Sequence, residues 1–361
     1  MTPAAPRAGS RVTIKDVARV AGVGVVTVSR ALNDQPGVSD ETRKRSRQKA
    51  ESLGYRANRH ARFLKLSSSR TIALMMKGID NPFFQQMLDT METAVRDHEH
   101  LLTVVKVPHF ADEVEEAIKL VREDAVGGLI FLGGNFTHEA DALARIPVPY
   151  VLSTIGAPIG ADANCAAVSV DDFAEAHRAV SYLLGLGHRR IALLGVGSDD
   201  VSVGLLRSRG YSAALADAGL KKAETADLVR AVELHGQSPY SFEYGYEQTI
   251  ALLAEQPDVT AIFAVADVMA IGALKAALDW GLQVPRELSI VGFDGIPVSH
   301  FVHPELTTLV QPAQQIAQLT CQILFEQMAG QSPRQVLLSG ELHLGGTTAP
   351  PRRTALPARL A

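Results

Sequence analysis

The side chains able to do covalent or metal chemistry are few and scattered. Cys165 and Cys321 are the two cysteines in 361 residues, too few for a disulfide scaffold or a cysteine-built zinc site. The eleven histidines are spread along the chain, and neither H-E-x-x-H, G-x-x-x-x-G-K-[ST] nor G-x-S-x-G occurs. His188, in the turn LGHRR, reads as a solvated loop histidine. Gly195-Val196-Gly197 follows a strand-like run, but Asp200 stands where a dinucleotide fingerprint needs its third glycine. No catalytic set, metal site or cofactor is read from these residues, and the expectation is a protein that is not an enzyme. The chemistry the sequence does concentrate is charge. Residues 1–70 hold 15 Lys+Arg against 5 Asp+Glu, while the rest hold 20 against 34, an asymmetry hidden under a net charge of −4. A +10 segment joined to an acidic body suits phosphate neutralisation, although a disordered basic tail would carry the same charge.

Periodicity separates those two readings. In Thr13–Ala21 (TIKDVARVA), Thr13 and Asp16 form a T-x-x-D capping pattern, and Ile14, Val17, Ala18 and Ala21 share one face. Gly22 suits the left-handed residue that ends a helix. A second short helix is predicted from about Val25 to Leu32, with Val28, Ala31 and Leu32 inward, before the turn NDQPG (33–37). Ser39 caps a third, running to about Leu53, with Asp40 and Glu41 at its positive end. Three such helices in a basic segment describe either a helix-turn-helix DNA reader or an ordinary three-helix packing unit.

The remainder can bury a large core. At 47% hydrophobic, 20% charged and mean hydropathy +0.08, the chain is not of disordered composition. No apolar run approaches the length of a membrane span, and the opening MTPAAPRAGSR lacks the apolar core of a secretory signal. A soluble cytoplasmic protein with no membrane partner is expected. Strand-like runs TIALMM (71–76), LLTVVK (101–106), GGLIFL (127–132) and YVLS (150–153) alternate with amphipathic stretches. A second series runs RIALLG (190–195), LVRAV (228–232), AIFAV (261–265) and LSIVG (288–292). Two alternating series predict an α/β body of two Rossmann-like lobes with parallel sheets, ligand favouring the crevice at the strand carboxyl ends.

VTIKDVARVAGVGVVTVSRALN (Val12–Asn33), VSDETRKRSRQKAESLGYRANRHARFLK (Val38–Lys65), IDNPFF (79–84), YLLGLGHRRIALLG (182–195), RSRGYSAAL (207–215), AIFAVADVMAIGALKAAL (261–278) and SIVGFDGIP (289–297) resemble the LacI/GalR family of bacterial transcription regulators. The resemblance covers about Val12 to Gly346. It implies an all-α helix-turn-helix head over residues 1–57 and a hinge helix and linker over 58–68. A two-lobed effector-binding and dimerisation domain like the periplasmic binding proteins would follow over 69–347. Its first lobe would take about 71–169 and 297–329, and its second about 170–296 and 330–347. Residues 348–361, rich in Pro and Arg and without leucine heptads, are expected to be a disordered tail, and the assembly a homodimer.

The same resemblance assigns roles. Thr13, Thr27 and Ser29 would contact phosphates, and Val25, Val26 and Arg30 would occupy the base-reading positions. Arg30 can fork to guanine, while the two valines, at positions often polar or aromatic in the family, can only touch thymine methyls or fill space. Gly24 stands where serine is usual. Asn58 would cap the hinge helix, Ala61 allow close approach, Leu64 wedge into the minor groove and Lys65 meet phosphate or groove edge. In the effector cleft the resemblance places Phe83 and Phe84 as an aromatic wall, Arg207 and Asp294 on the ligand's polar groups and Tyr240 stacked on its face. Thr154 replaces a common Asp, and Ala266 replaces a common Asn beside a retained Asp267. From the residues alone, the alternative for Arg207 and Asp294 is a structural ion pair across the lobes. The expected function is a repressor on a palindromic operator, nucleoid-associated and controlled by a small metabolite: a sugar or sugar derivative, a purine, or another metabolite. The competing reading is a small-solute binding protein without DNA function.

Overall fold

The computed structural model describes residues 14–32, 37–53, 70–78, 81–108, 111–124, 126–135, 140–156, 165–197, 200–221, 226–231 and 240–352. Thr13, Asn58, Ala61, Leu64, Lys65 and the expected hinge helix lie outside them, as do residues 353–361. The chain divides into two units, Met1–Lys65 and Leu66–Ala361.

In the first unit three helices, α1 (Ile14–Ala21), α2 (Val25–Leu32) and α3 (Asp40–Ser52), fall where the periodicity predicts them. Val17, Ala18 and Ala21 of α1 pack with Val28 of α2 and Ala50 of α3, small side chains that let short helices approach closely. Gly22 ends α1 at φ +68°, which turns Val23 N back onto Ala18 O at 3.2 Å. The Ser39 hydroxyl accepts from Thr42 N and caps α3. Asp16 bonds Arg19 at 2.9 Å.

The second unit is two six-stranded sheets. Its elements run β1 (Thr71–Lys77), α4 (Pro82–Asp97), β2 (Leu101–Val107), α5 (Glu113–Glu123), β3 (Gly128–Leu132), α6 (Ala140–Ala144), β4 (Tyr150–Ser153) and β5 (Ala167–Val170). There follow α7 (Asp172–Gly185), β6 (Ile191–Leu194), α8 (Val203–Asp217), β7 (Val229–Arg230), α9 (Phe242–Glu255), β8 (Ala261–Ala264) and α10 (Asp267–Asp279). The chain ends in β9 (Ser289–Asp294), β10 (Thr307–Val310), α11 (Ala313–Met328), β11 (Gln335–Leu338) and β12 (Glu341–His343). The first sheet has the order β11-β5-β4-β3-β1-β2 and the second β12-β10-β9-β8-β6-β7. Every pairing is parallel except β10 with β12. The central strands are apolar throughout because helices cover both faces: β3 and β8 are buried along their whole length.

The strand order corrects the expected lobe boundaries. β10 belongs to the second sheet, so the chain returns to the first lobe at about 311–312, not 296. β11 pairs with β5 in the first sheet, so the last crossing falls between Leu338 and Glu341 instead of at 329–330. β10 escapes an apolar search because it begins Thr307-Thr308. Both threonines are buried with their hydroxyls satisfied, Thr308 donating to Asp267 and Thr307 accepting from Gly345 N.

The start of the expected tail is also packed. Ile290 N donates to Thr347 O at 2.9 Å, Ala349 N donates to Ser289 Oγ at 3.0 Å, and Arg352 donates to the carbonyls of Pro257 and Val259. His188, expected in solvent, is 1% exposed between Thr260 Oγ1 at 2.9 Å and Ala349 O at 2.8 Å. The ordered segment 347–352 covers it, and burial pulls its pKa down.

Candidate functional site

Two surfaces carry the candidate residues, one in each unit. On α2, Val26 and Arg30 point away from Val28, which is buried in the core, while Val25 and Ser29 lie together on a flank. Val26 is 66% exposed and Val25 39%, a high exposure for branched apolar side chains. Arg30 is exposed at the last turn, and Thr27 and Ser29 are half-buried on the flanks. A short helix thus presents two methyl-bearing side chains and a guanidinium outward on a basic three-helix body.

In the second unit the strand carboxyl ends of the two sheets meet, where Asn135 bridges Ser202 and Gln86 reaches Gly295 O, and this junction is the candidate cleft; an ion network lies at its second-lobe side. The Arg207 guanidinium, from α8, donates through Nε to Asp172 Oδ1 at 2.8 Å. Through Nη1 it donates to Asp294 Oδ1 at 3.0 Å and to Val265 O at 2.6 Å. It lies 3.8 Å from the centre of the Phe293 ring. All three charged groups are buried. Gln311 donates to Asp294 Oδ1 at 2.8 Å, and the Asn81 amide of the first lobe lies near enough to favour the charged form of this carboxylate. Asn81 holds its place by capping α4, its Oδ1 accepting from Phe83 N at 3.0 Å. The polar links between the lobes are the bridge between Asn135 and Ser202 and the hydrogen bond from Gln86 to Gly295 O at 3.4 Å.

The charges in this network shift one another. Burial raises the Asp172 pKa to about 6 against the pull of Arg207, and burial likewise raises Asp294. Burial works against the Arg207 charge, but Asp294 and Asp172 more than offset it, so its pKa sits above the ordinary range. Asp267, at the first residue of α10, is buried beside them. Its Oδ2 accepts from Gly295 N at 2.8 Å and Ile296 N at 2.9 Å, and its Oδ1 accepts from the Thr308 hydroxyl at 2.5 Å. Burial, with the Asp294 charge nearby, pushes this carboxyl up to about 8.

Backbone strain gathers here too. Asp294 has φ +120° and Thr154 φ +66°, each at the carboxyl end of a central strand. Such conformations cost on the order of 1–3 kcal/mol for residues other than glycine and persist where neighbours over-determine them. Asp267 does this for Asp294 by gripping the two residues that follow it. Thr154 is held by its Oγ1 accepting from Gly133 N at 3.3 Å and its N donating to Val168 O at 2.8 Å.

Of the residues expected to line the cleft, Arg207 and Asp294 are brought together, as an ion pair within the second lobe and not across the two. Tyr240 reaches over the first turn of α8 and hydrogen-bonds Ser202 Oγ at 2.8 Å. Phe83 is 2% exposed and belongs to the core, while Phe84 lies half-buried against Gly78 and Gly133 at the ends of β1 and β3. Only Phe84 can serve as a wall. Thr154 and Asp267 turn their polar atoms to the backbone and to Thr308, so they shape the cleft's edges.

Asp172, Gln311, Asn81 and the Lys77–Glu113 pair were not singled out from the sequence. Lys77, at the end of β1, donates to Glu113 Oε2 at 3.0 Å, Ala111 O at 2.9 Å and Asn135 Oδ1 at 3.3 Å, fixing the first lobe's lip. A visible signal existed only for Asp172: in Asp171-Asp172, Asp171 caps α7 through Ala174 N, which leaves the second acid without a capping role.

A model described as bacterial regulatory proteins, lacI family, matches residues 13–58, and one described as a periplasmic binding protein-like domain matches residues 180–348. The HTH-type transcriptional regulator MalR of Clostridium butyricum is 35% identical over 335 residues, 91% of this chain and 97% of its own length. The HTH-type transcriptional repressor CytR of Escherichia coli K12 is 32% identical over 340 residues, covering 93% and 96%. Among solved structures, the lac repressor dimer bound to operator and an anti-inducer superposes with TM-score 0.65 at 26% identity. It covers 94% of this chain and 100% of its own. The transcriptional regulator CelR with cellobiose gives TM-score 0.68 at 26% identity, covering 93% and 100%.

Proposed function

The chain belongs to the LacI family of bacterial regulatory proteins, whose matching members are transcription regulators and not enzymes, and on that premise we propose that it is a homodimeric repressor. It acts in the cytoplasm on a palindromic operator, and a sugar or sugar derivative in the cleft sets its DNA affinity. The observation that carries this reading is the outward face of α2, with Val25, Val26 and Arg30 exposed on a basic three-helix unit. Two copies about one helical turn apart would read the two half-sites. Thr13, Thr27 and Ser29 would meet phosphates. Asn58, Ala61, Leu64 and Lys65 would form the hinge in the minor groove, with Leu64 as the wedge.

Three features support the sugar reading. CelR, with cellobiose bound, matches over its whole length and 93% of this chain. The cleft carries charged and amide groups, Arg207, Asp294, Gln311 and Asn81, whose hydrogen bonds to hydroxyls would be short and strong. Phe84, against Gly78 and Gly133, and Tyr240, bonded to Ser202, bring aromatic rings to the strand carboxyl ends of the two lobes. Switching requires that the ligand favour one lobe arrangement over the other. The Asn135–Ser202 bridge and the Gln86–Gly295 hydrogen bond are contacts between lobes that such a preference would alter.

The test is selection of host genomic fragments by the purified full-length protein at two salt concentrations. A recovered short palindrome supports the reading, and no enrichment in either salt, with or without a metabolite extract, favours a solute-binding protein. Arg30→Ala should then weaken the selected palindrome by about 1–3 kcal/mol per half-site while leaving non-specific binding in place. Equal losses on both, in a salt titration by fluorescence anisotropy, would remove Arg30 from base reading. Leu64→Ala should reduce the operator bend measured by circular-permutation mobility, and an unchanged bend would remove the wedge.

A further inference from the structure

Three side chains at the edge of the second sheet converge on one point. His300 closes the short turn Pro297–His300, Glu305 lies in the following loop, and His343 sits on the edge strand β12 opposite Thr308 of β10. His300 Nδ1 is 2.7 Å from Glu305 Oε1, and His343 Nε2 is 2.8 Å from that same oxygen. The rings stand edge-on, centroids 4.9 Å apart at 75°. One ligand atom from each lies within 4.8 Å of the other two, and among the described residues this is the one such trio.

We propose that His300, Glu305 and His343 form a binding site for a divalent late first-row ion, zinc by ligand type. Two imidazole nitrogens and one carboxylate oxygen are the donor set of three-ligand zinc sites, with the fourth position left to water. Seating the ion requires little rearrangement. Tetrahedral zinc at about 2.0–2.1 Å from each donor sets them about 3.3 Å apart, which opens the two hydrogen-bonded N–O spacings slightly and keeps the two nitrogens, now within 4.8 Å of each other, inside that range. The ion replaces the ring protons now aimed at the carboxylate. Solvent reaches all three side chains, which are 47%, 41% and 34% exposed.

The backbone beneath the donors is already fixed. Gly346 N donates to Glu305 O at 2.6 Å, Leu306 N to Ser299 O at 3.0 Å, and β12 is paired to β10. The donors are therefore preorganised, which lowers the ordering cost of binding. A search for metal spacings in the sequence misses the trio because His300 and Glu305 are five residues apart while His343 is 38 residues beyond Glu305. The ion would tie the loop after β9, the strand that ends at Asp294, to the edge strand of the same sheet.

The test is isothermal titration of untagged, chelator-treated full-length protein with ZnCl2. One ion per chain is expected. Binding should weaken in His300→Ala and in His343→Ala by at least the roughly tenfold that even outer-shell changes cost at metal sites. The variant H98A/H100A, which removes a histidine pair packed on Phe325 elsewhere on the surface, one stacked and one edge-on, should bind as the wild type does. Zinc should raise the melting temperature of the wild type and not that of His343→Ala. Far-UV circular dichroism verifies that each exposed-site variant is folded. No stoichiometric uptake overturns the proposal, as does uptake that survives in His300→Ala and His343→Ala and is lost in H98A/H100A.

Discussion

Arg207→Leu is expected to destabilise the effector-binding unit by about 3–5 kcal/mol, because it leaves two buried carboxylates without their cation. Arg207 bonds Asp172 and Asp294 at 2.8 and 3.0 Å, and all three are buried. Leucine is shorter and apolar, so it leaves part of the space over Phe293 empty and pairs with neither acid. The two carboxylates then relieve their repulsion by taking up protons, which raises pKa values that burial has already raised. Between the unfolded carboxylate value of about 4 and these raised values, the folded variant binds more protons than the unfolded chain. Its stability therefore falls as pH rises, and its deficit against the wild type should be larger at pH 8 than at pH 5. Urea unfolding followed by Trp280, the single tryptophan, reads this directly, since Trp280 packs against the core of the second unit. Asp172→Asn is the companion variant: it leaves Arg207 paired with Asp294 and should cost distinctly less. A deficit for Arg207→Leu below about 1 kcal/mol, the range of exposed ion pairs, would mean that water screens the network.

How much of this was legible beforehand depended on whether a residue's partners were local. The head was legible almost entirely, because helix periodicity, a Gly terminus and a Ser cap are written within a few residues of one another. The strands of both lobes were legible where they are apolar, as in β1, β3, β8 and β9. β10 was not, since its threonines are buried through hydrogen bonds to Asp267 and Gly345, partners 41 and 38 residues away. The lobe boundaries depended on β10 and moved with it. His188 was misplaced for the same reason: its cover, Ala349, lies 161 residues on, in a segment whose Pro and Arg content suggested disorder.

The cleft shows a subtler limit. Arg207 and Asp294 do meet, but sequence could not say that a third charge, Asp172, completes the pair, nor that all three belong to one lobe. Phe83 and Phe84 are neighbours of one type, yet the helix turn sends one into the core and the other over Gly133. Side-chain direction, set by helix phase and by what the opposing strand offers, separates a wall from a core residue.

Asp267→Asn tests whether the acid beside this network supports the loop or touches ligand. Its carboxyl, raised to about 8 chiefly by burial, lies above the unfolded value of about 4. The folded protein thus holds a proton there that the unfolded chain loses as pH climbs from about 4, so stability declines through that window and levels off above pH 8. Asn cannot titrate. Its Oδ1 can accept from Gly295 N and Ile296 N as the carboxylate does, and its amide can donate to the Thr308 hydroxyl, which turns to accept. The expected result is a wild type that loses a few kcal/mol between pH 5 and pH 9, at about 1.4 kcal/mol per unit of pKa difference, and a variant that loses distinctly less. Asp172 and Asp294 titrate in both proteins, as does His188, whose lowered pKa acts with the opposite sign. Comparing variant with wild type therefore isolates Asp267. An equally steep decline in Asp267→Asn would show that this carboxyl titrates normally and is not the support described. Because Asn keeps the grip on Gly295 and Ile296, and through them the strained backbone of Asp294, the effector dose-response of operator binding should be unchanged. A shifted dose-response with normal stability would move Asp267 from the loop's support to the ligand's own contacts.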